Sequence, residues 1–242
     1  MLVTLKNQSV LIVGASSGIG REAALLFVRE GANVMATARR RDRLEQLATD
    51  AAAGPGKIAI LAADASEQPS AAQMVATTIS QFGSLDVLVF AAGINTPDRS
   101  LKRLTPAIWD TLLKANLNGA FYVTHAALPH FRNQRAGLML YVASISGLLT
   151  DVSGAAYQAS KRGLVALAHA IRIEEKENGI RTSVVCPGLV DTELLNQRPI
   201  KPDAETLAKA LLPEDVAEII VAIAKLPPRA TVPELQILPT LV

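Results

Sequence analysis

Ser9-Val10-Leu11-Ile12-Val13-Gly14-Ala15-Ser16-Ser17-Gly18-Ile19-Gly20 is the stretch on which the fold turns. Four apolar residues follow Ser9 without in/out alternation, which predicts a strand covered on both faces. The glycines then make a tight turn that opens a helix over 20–30. Each glycine has a task in such a turn. One closes it, one lets backbone approach a pyrophosphate, and one lets the helix pack against the strand. The helix start offers free N–H groups and the positive end of a dipole to phosphate. A glycine-rich turn also occurs as plain structure, and its place after the first strand of a strand–helix repeat is what marks it as a phosphate cradle.

The same alternation runs along the chain. Residues 33–38, 57–61, 86–90, 138–142, 181–185 and 235–238 read as further strands. Helical spacing recurs over 41–53, 70–82 and 155–178, and Gly31, Gly54, Gly83 and Gly179 stand where left-handed helix caps are expected. Strand, helix, strand repeated in this way implies right-handed crossovers. The expected fold is α/β: a doubly wound parallel sheet of about seven strands with helices on both faces. No repeat or long linker divides the chain, so 1–242 is read as a single domain. Residues 191–213 carry Pro199, Pro202 and Pro213 and form the loop-rich part. Ligands of open parallel sheets sit beyond the carboxyl ends of the strands, so this segment is either a substrate lid or an ordinary surface connection.

Composition agrees with a large aliphatic core: 50% of the 242 residues are hydrophobic, 4% aromatic and 19% charged. A chain of this length can bury about 70% of its surface, which excludes disordered, collagen-like and disulfide-stapled classes. The formal charge of +2 is too small to suggest a nucleic-acid or membrane partner. The lone Cys186 permits no internal disulfide. Met1-Leu2-Val3-Thr4-Leu5-Lys6 lacks the order of a signal peptide, and the apolar stretch 115–131 is broken by Asn116, Asn118, His125 and His130. A cytoplasmic protein is expected.

About twenty residues past the cradle, binders of NAD place an acid on the ribose 2′-hydroxyl. Here the second strand ends Ala36-Thr37-Ala38-Arg39-Arg40, without an acid. A carboxylate would repel a 2′-phosphate, whereas a guanidinium grips it through paired charge-assisted bonds. NADP is therefore favoured, with Arg39 as the first contact and Arg40 beside it. Arg41 and Arg43 read as solvated helix charges.

Tyr157-Gln158-Ala159-Ser160-Lys161 carries the chemistry. Tyrosine and lysine at i and i+4 share a helix face, close enough for an ammonium to act on a phenol. The free phenol has a pKa of about 10, and a neighbouring cation would favour the phenolate. Ser144 stands thirteen residues before the tyrosine and Asn116 a further twenty-eight before the serine.

The Gly14-x-x-x-Gly18-x-Gly20 spacing, its lead-in Leu5-Lys6-Asn7 and the set Asn116, Ser144, Tyr157 and Lys161 together resemble the short-chain dehydrogenase/reductase family, whose sheet is of the Rossmann type. The resemblance implies an oxidoreductase in which Tyr157 moves a proton on or off the substrate oxygen and Ser144 stabilises that oxygen. Lys161 would tune the tyrosine and hold the nicotinamide ribose, and Asn116 would position a water. It further implies cofactor contacts at Ser16, Ser17 and Ile19 in the cradle. Asp64 and Ala65 would lie at the adenine, Ala92 and Gly93 at the ribose, and the Pro187-Gly188 turn with Val190 and Thr192 at the nicotinamide amide or the phosphates. Where the family often has Thr this chain has Val13, and its Asn-Asn-Ala-Gly turn is here Phe90-Ala91-Ala92-Gly93.

These readings point to an NADP(H)-dependent enzyme interconverting a carbonyl and a secondary alcohol. The tail Pro233-Glu234-Leu235-Gln236-Ile237-Leu238-Pro239 lacks a Gly-Gly strand and, with Pro213-Glu214-Asp215-Val216-Ala217, resembles the branch acting on small hydroxy acids, amino alcohols or polyols. The alternatives are a 3-oxoacyl-carrier-protein reductase and, from another class, a non-catalytic NADP-binding scaffold or redox sensor. The resemblance also implies a homo-oligomer, a dimer or tetramer, built on helices around 104–132 and 155–178. Cys186 reads as a small core residue, and His125, His130, His169 and Trp109 as packing or surface residues. No metal site is expected.

Overall fold

The computed structural model describes residues 2–241; Met1 and Val242, the ends of the expected domain and of the quoted opening, lie outside the described residues. In chain order the elements are β1 (Ser9–Val13), α1 (Gly18–Arg29), β2 (Asn33–Ala38), α2 (Arg41–Ala51), β3 (Lys57–Ala62), α3 (Gln68–Phe82) and β4 (Val87–Phe90). Then follow α4 (Pro106–Leu113), α5 (Gly119–Gln134), β5 (Gly137–Val142), α6 (Ala155–Glu175), β6 (Ile180–Pro187), α7 (Ala204–Ala208), α8 (Pro213–Ala224) and β7 (Glu234–Ile237).

The seven strands form one parallel sheet in the order β3-β2-β1-β4-β5-β6-β7. The chain works outward from β1 to β3, then returns to lay β4 against the other side of β1, with Val13 level with both Thr37 and Phe90. That reversal opens a crevice at the carboxyl ends of β1 and β4, the place where ligands of such sheets bind.

Strand alternation divides the core in two. Val10, Ile12, Val34, Ala36, Val87, Val89, Leu138 and Leu140 face α1, α2 and α8. Leu11, Val13, Met35, Leu88, Phe90, Met139 and Tyr141 face α3, α5 and α6. Both faces being covered, the central strands carry no polar side, which is why their sequences show no alternation.

The helical segments differ from expectation in three places. Gly31, Gly83 and Gly179 hold positive φ at helix ends, but Gly54 does not; it is small because a Cβ there would lie 2.6 Å from Val28 Cγ1. The helix expected around 104–132 is interrupted by a π turn, Lys114–Asn118, between α4 and α5. The extra residue of such a turn re-aims a side chain, and here Asn116 is turned fully inward. Residues 191–213 are more ordered than a loop: they hold a 3₁₀ turn, Glu193–Gln197, and α7, and are tied back by a bridge between Val190 and Leu211. Among the described residues no helix is long and apolar enough to cross a membrane.

Gly14 brings β1 into close backbone approach with the chain leaving β4. Its φ is +93°, and a Cβ there would lie 2.5 Å from the Ala92 nitrogen. Gly14→Ala is expected to cost about 2–4 kcal/mol, from the disfavoured φ and the overlap with the Ala91–Ala92 backbone just past β4. Urea unfolding measures it, and a loss below about 1 kcal/mol would mean the turn can relax.

Candidate active site

The carboxyl ends of six strands open into one cavity of about 560 Å³. β1 delivers Gly14 to Ile19, β2 Arg39 and Arg40, and β4 Ala92 and Gly93. β5 delivers Ser144, and β6 delivers Pro187, Gly188, Val190 and Thr192. Beyond Val13 the turn is held by the Thr37 carbonyl, which accepts from Gly14 N at 2.8 Å and Ala15 N at 3.1 Å. A Cβ on Gly20 would come within 2.4 Å of the Gly14 carbonyl. The cradle is thus bare backbone at a helix start, the form a pyrophosphate requires.

The arginines beside it are arranged differently from the sequence expectation. Arg39 lines the cavity but bonds no described residue, while Arg40 donates to Ser16 Oγ at 2.9 Å, to Ser17 Oγ at 2.7 Å and to Glu193 Oε2 at 2.7 Å. Arg43 also reaches Glu193, at 3.5 Å, so it is not simply a solvated helix charge; Arg41, paired with Glu45 one turn on, is. The Arg40 hydrogen bond holds the Glu193 carboxyl below the usual range. Asp64 and Ala65 line the cavity, and Asp64 Oδ1 accepts from Ser66 N at 2.9 Å. Asp64 therefore caps a turn, while the start of α3 falls to Glu67.

Ser144, Tyr157 and Lys161 line the same cavity, whereas Asn116 is buried behind Gly93 and does not line it. The Lys161 ammonium donates to the Val142 carbonyl at 3.0 Å and lies 5.8 Å from the Tyr157 ring centre. Asn116 Oδ1 accepts from Ile94 N at 2.8 Å, and its Nδ2 donates to Ile94 O and to Ser160 Oγ. Ser144 Oγ donates to Ser146 Oγ at 3.2 Å and accepts from Ser146 N. A Cβ on Gly93 would stand 3.2 Å from Lys161 Nζ, so a larger residue there would press on the ammonium.

Burial dominates the titration of this cluster. It pushes the Tyr157 phenol up to about 12, with the Ser144 hydroxyl pulling the other way, and pushes Lys161 down to about 8. The expectation that Lys161 lowers the tyrosine is not met. The cations that act on the phenol are Arg99 and Arg198, and desolvation outweighs them.

Thr192 closes the far side of the cradle, 3.1 Å from where a Gly18 Cβ would be. The tail crosses the Pro187-Gly188 turn, Gly188 N donating to Ile237 O at 2.8 Å. Cys186 is buried, and its thiol is pushed up to about 11 by burial. His130 accepts from Leu85 N, His169 meets Glu234 at 3.1 Å, and Trp109 packs beside Ala156 and Tyr157. Among the described residues no cluster of His, Cys, Asp or Glu is arranged to hold a metal.

Several lining residues were not singled out from sequence: Asn95, Arg99, Asp151, Glu193 and Arg198. Arg99 and Arg198 lie in the loops following β4 and β6, and the rule that such loops build the site would have been the signal.

The family model for short chain dehydrogenase matches residues 8–203. The 3-oxoacyl-acyl-carrier-protein reductase FabG of Thermotoga maritima is 32% identical over 225 residues, covering 91% of each chain. An alcohol dehydrogenase from the archaeon Thermococcus sibiricus, solved with 5-hydroxy-NADP, superposes with a TM-score of 0.85 at 28% identity over 95% of both chains. A metagenomic short-chain oxidoreductase solved with NADP gives 0.85 at 28% identity, covering 99% of this chain and 100% of its own.

Proposed function

The chain belongs to the short-chain dehydrogenase/reductase family of oxidoreductases, and from that premise we propose an NADP(H)-dependent enzyme that interconverts a carbonyl and a secondary alcohol on a small substrate. The observation that carries the reading is the meeting of Ser144, Tyr157 and Lys161 with the glycine cradle in one cavity. Two structural relatives solved with NADP or a derivative of it support the cofactor.

When bound, the nicotinamide cofactor supplies or accepts the hydride. The residues present fit it: the glycine turn, Ser16, Ser17 and Ile19 would receive the pyrophosphate, and Arg39 and Arg40 the 2′-phosphate. Asp64 and Ala65 would border the adenine. Ala92, Gly93, Tyr157 and Lys161 would hold the ribose, and Pro187, Gly188, Val190 and Thr192 the nicotinamide end. Tyr157, protonated at neutral pH, gives its proton to the substrate oxygen in reduction. Ser144 donates to the same oxygen as charge develops there. Lys161, still an ammonium at neutral pH but lowered to about 8 by burial, can replace that proton. Both ends of the Asn116 amide are already occupied, so its side chain acts as a positioning residue, tying Ile94 to α6.

Consumption of NADPH with a panel of ketones and aldehydes tests the reading. Tight NADPH binding without turnover of any carbonyl would leave a binding scaffold. A second reading, reduction of 3-oxoacyl-carrier-protein, is favoured by the Thermotoga relative and is tested by acetoacetyl-carrier-protein as substrate. Because Arg40 already grips Ser16 and Ser17, Arg40→Ala is expected to reduce the preference for NADPH over NADH by about 10- to 100-fold, and Arg39→Ala by less. An unchanged ratio of kcat/KM in both variants would refute the 2′-phosphate assignment. Self-association belongs to the same proposal, since Phe121 on α5 and Ile173 on α6 are exposed.

A further inference from the structure

The cavity that holds Tyr157 and Ser144 is also lined by two arginines from different loops, Arg99 after β4 and Arg198 after β6. Arg99 is fixed in place. Its Nε donates to the Thr96 carbonyl at 2.9 Å and its Nη2 to the Gln197 carbonyl at 3.0 Å. Gly154, at φ +93°, packs so closely that a Cβ there would lie 2.7 Å from Arg99 Cβ. These contacts leave one face of the guanidinium unspent, and the Arg198 side chain bonds none of the described residues.

Neither guanidinium is ion-paired among the described residues. Asp151, the carboxylate beside them, directs its oxygens to Ser146 Oγ, Ser153 Oγ and Ser153 N. Glu193 is taken by Arg40. Burial and the Arg198 charge both act against the charge on Arg99, which nevertheless stays cationic at ordinary pH. Two like charges held together in a half-buried cavity are unfavourable unless an anion comes between them. A guanidinium fork matches an oxyanion in two-point geometry, and both forks act electrostatically on Tyr157.

We propose that Arg99 and Arg198 form the oxyanion-binding end of the substrate pocket, so that the substrate is a small oxo or hydroxy compound carrying a carboxylate or a phosphate monoester. This rests on the oxidoreductase reading above. The Gln197 bond ties Arg99 to residues 191–213, and Arg198 arrives with that same segment, so the pocket is complete only when the segment lies over the site.

Matched pairs test it: acetoacetate against methyl acetoacetate, and dihydroxyacetone phosphate against dihydroxyacetone. The charged member of one pair is expected to have a kcat/KM about 10- to 100-fold higher, and which pair shows this distinguishes carboxylate from phosphate. The preference should collapse in Arg198→Ala, whose side chain supports no other contact, and invert in Arg198→Glu. Calorimetric titration of the same four compounds into protein saturated with NADP⁺ gives a readout independent of turnover. Preferential binding of an acid that Arg198→Ala abolishes sustains the pocket even if no carbonyl is reduced, in which case the oxidoreductase reading falls alone. Equal binding and turnover within both pairs, or no binding of any charged member, overturns the pocket and leaves that reading standing.

Discussion

Tyr157→Phe is expected to lower kcat for carbonyl reduction by about 10²- to 10⁴-fold, the range spanned by a positioned proton donor. The ring packs with Leu112 and Ala156 in a small cluster beneath the site, so the phenylalanine keeps the buried volume and the fold survives. What disappears is the hydroxyl. NADPH binding loses at most one hydrogen bond, so Kd should rise by no more than about tenfold. Single-turnover kinetics with saturating NADPH separates this from a binding defect. Burial keeps the phenol protonated up to about 12, so reduction should run level across neutral pH while alcohol oxidation climbs with pH. Turnover by Tyr157→Phe at the wild-type rate would place the proton donor elsewhere.

The sheet was legible because each central strand is apolar on both faces and each crossover is punctuated. The strands over 9–13 and 33–38 read directly, and the other five shift by only a residue or two at their ends. The π turn at Lys114–Asn118 was not legible, since the apolar pattern on either side of it still fits a continuous helix. Asn116 was found through its spacing to Ser144, but not that its amide would be spent on Ile94 and Ser160. The cradle was readable as a motif, whereas the choice between Arg39 and Arg40 depends on which neighbour faces Ser16 when the chain enters α2. Arg99 and Arg198 lie far apart in sequence and meet only because the sheet sets the ends of β4 and β6 over one cavity. The i, i+4 spacing of Tyr157 and Lys161 gave proximity, but burial, which sets both their titrations, is a property of the packed molecule.

Lys161→Met should separate stability from function. The lysine is 3% exposed, and burial brings its ammonium down to about 8 against about 10.4 for an unfolded chain. Below pH 8 both states hold the proton, and the folded state carries the full cost of a buried charge, about 3 kcal/mol. Between about pH 8 and 10.4 the unfolded chain binds more protons than the folded one, so wild-type stability rises with pH until the cost is gone. Methionine has a similar stem and no charge; it forfeits the bond to the Val142 carbonyl, worth about 1 kcal/mol. At pH 7 the variant should therefore be about 2 kcal/mol more stable than wild type, and near pH 10 slightly less stable. Turnover should fall by about 10²-fold or more, because the ammonium no longer resupplies Tyr157. Urea unfolding at both pH values decides the matter. A variant destabilised equally at pH 7 and pH 10 would mean that the ammonium is well solvated or paired in the folded protein. A stability gain at neutral pH with lost turnover would mean that Lys161 is retained against folding stability, the mark of a residue kept for chemistry.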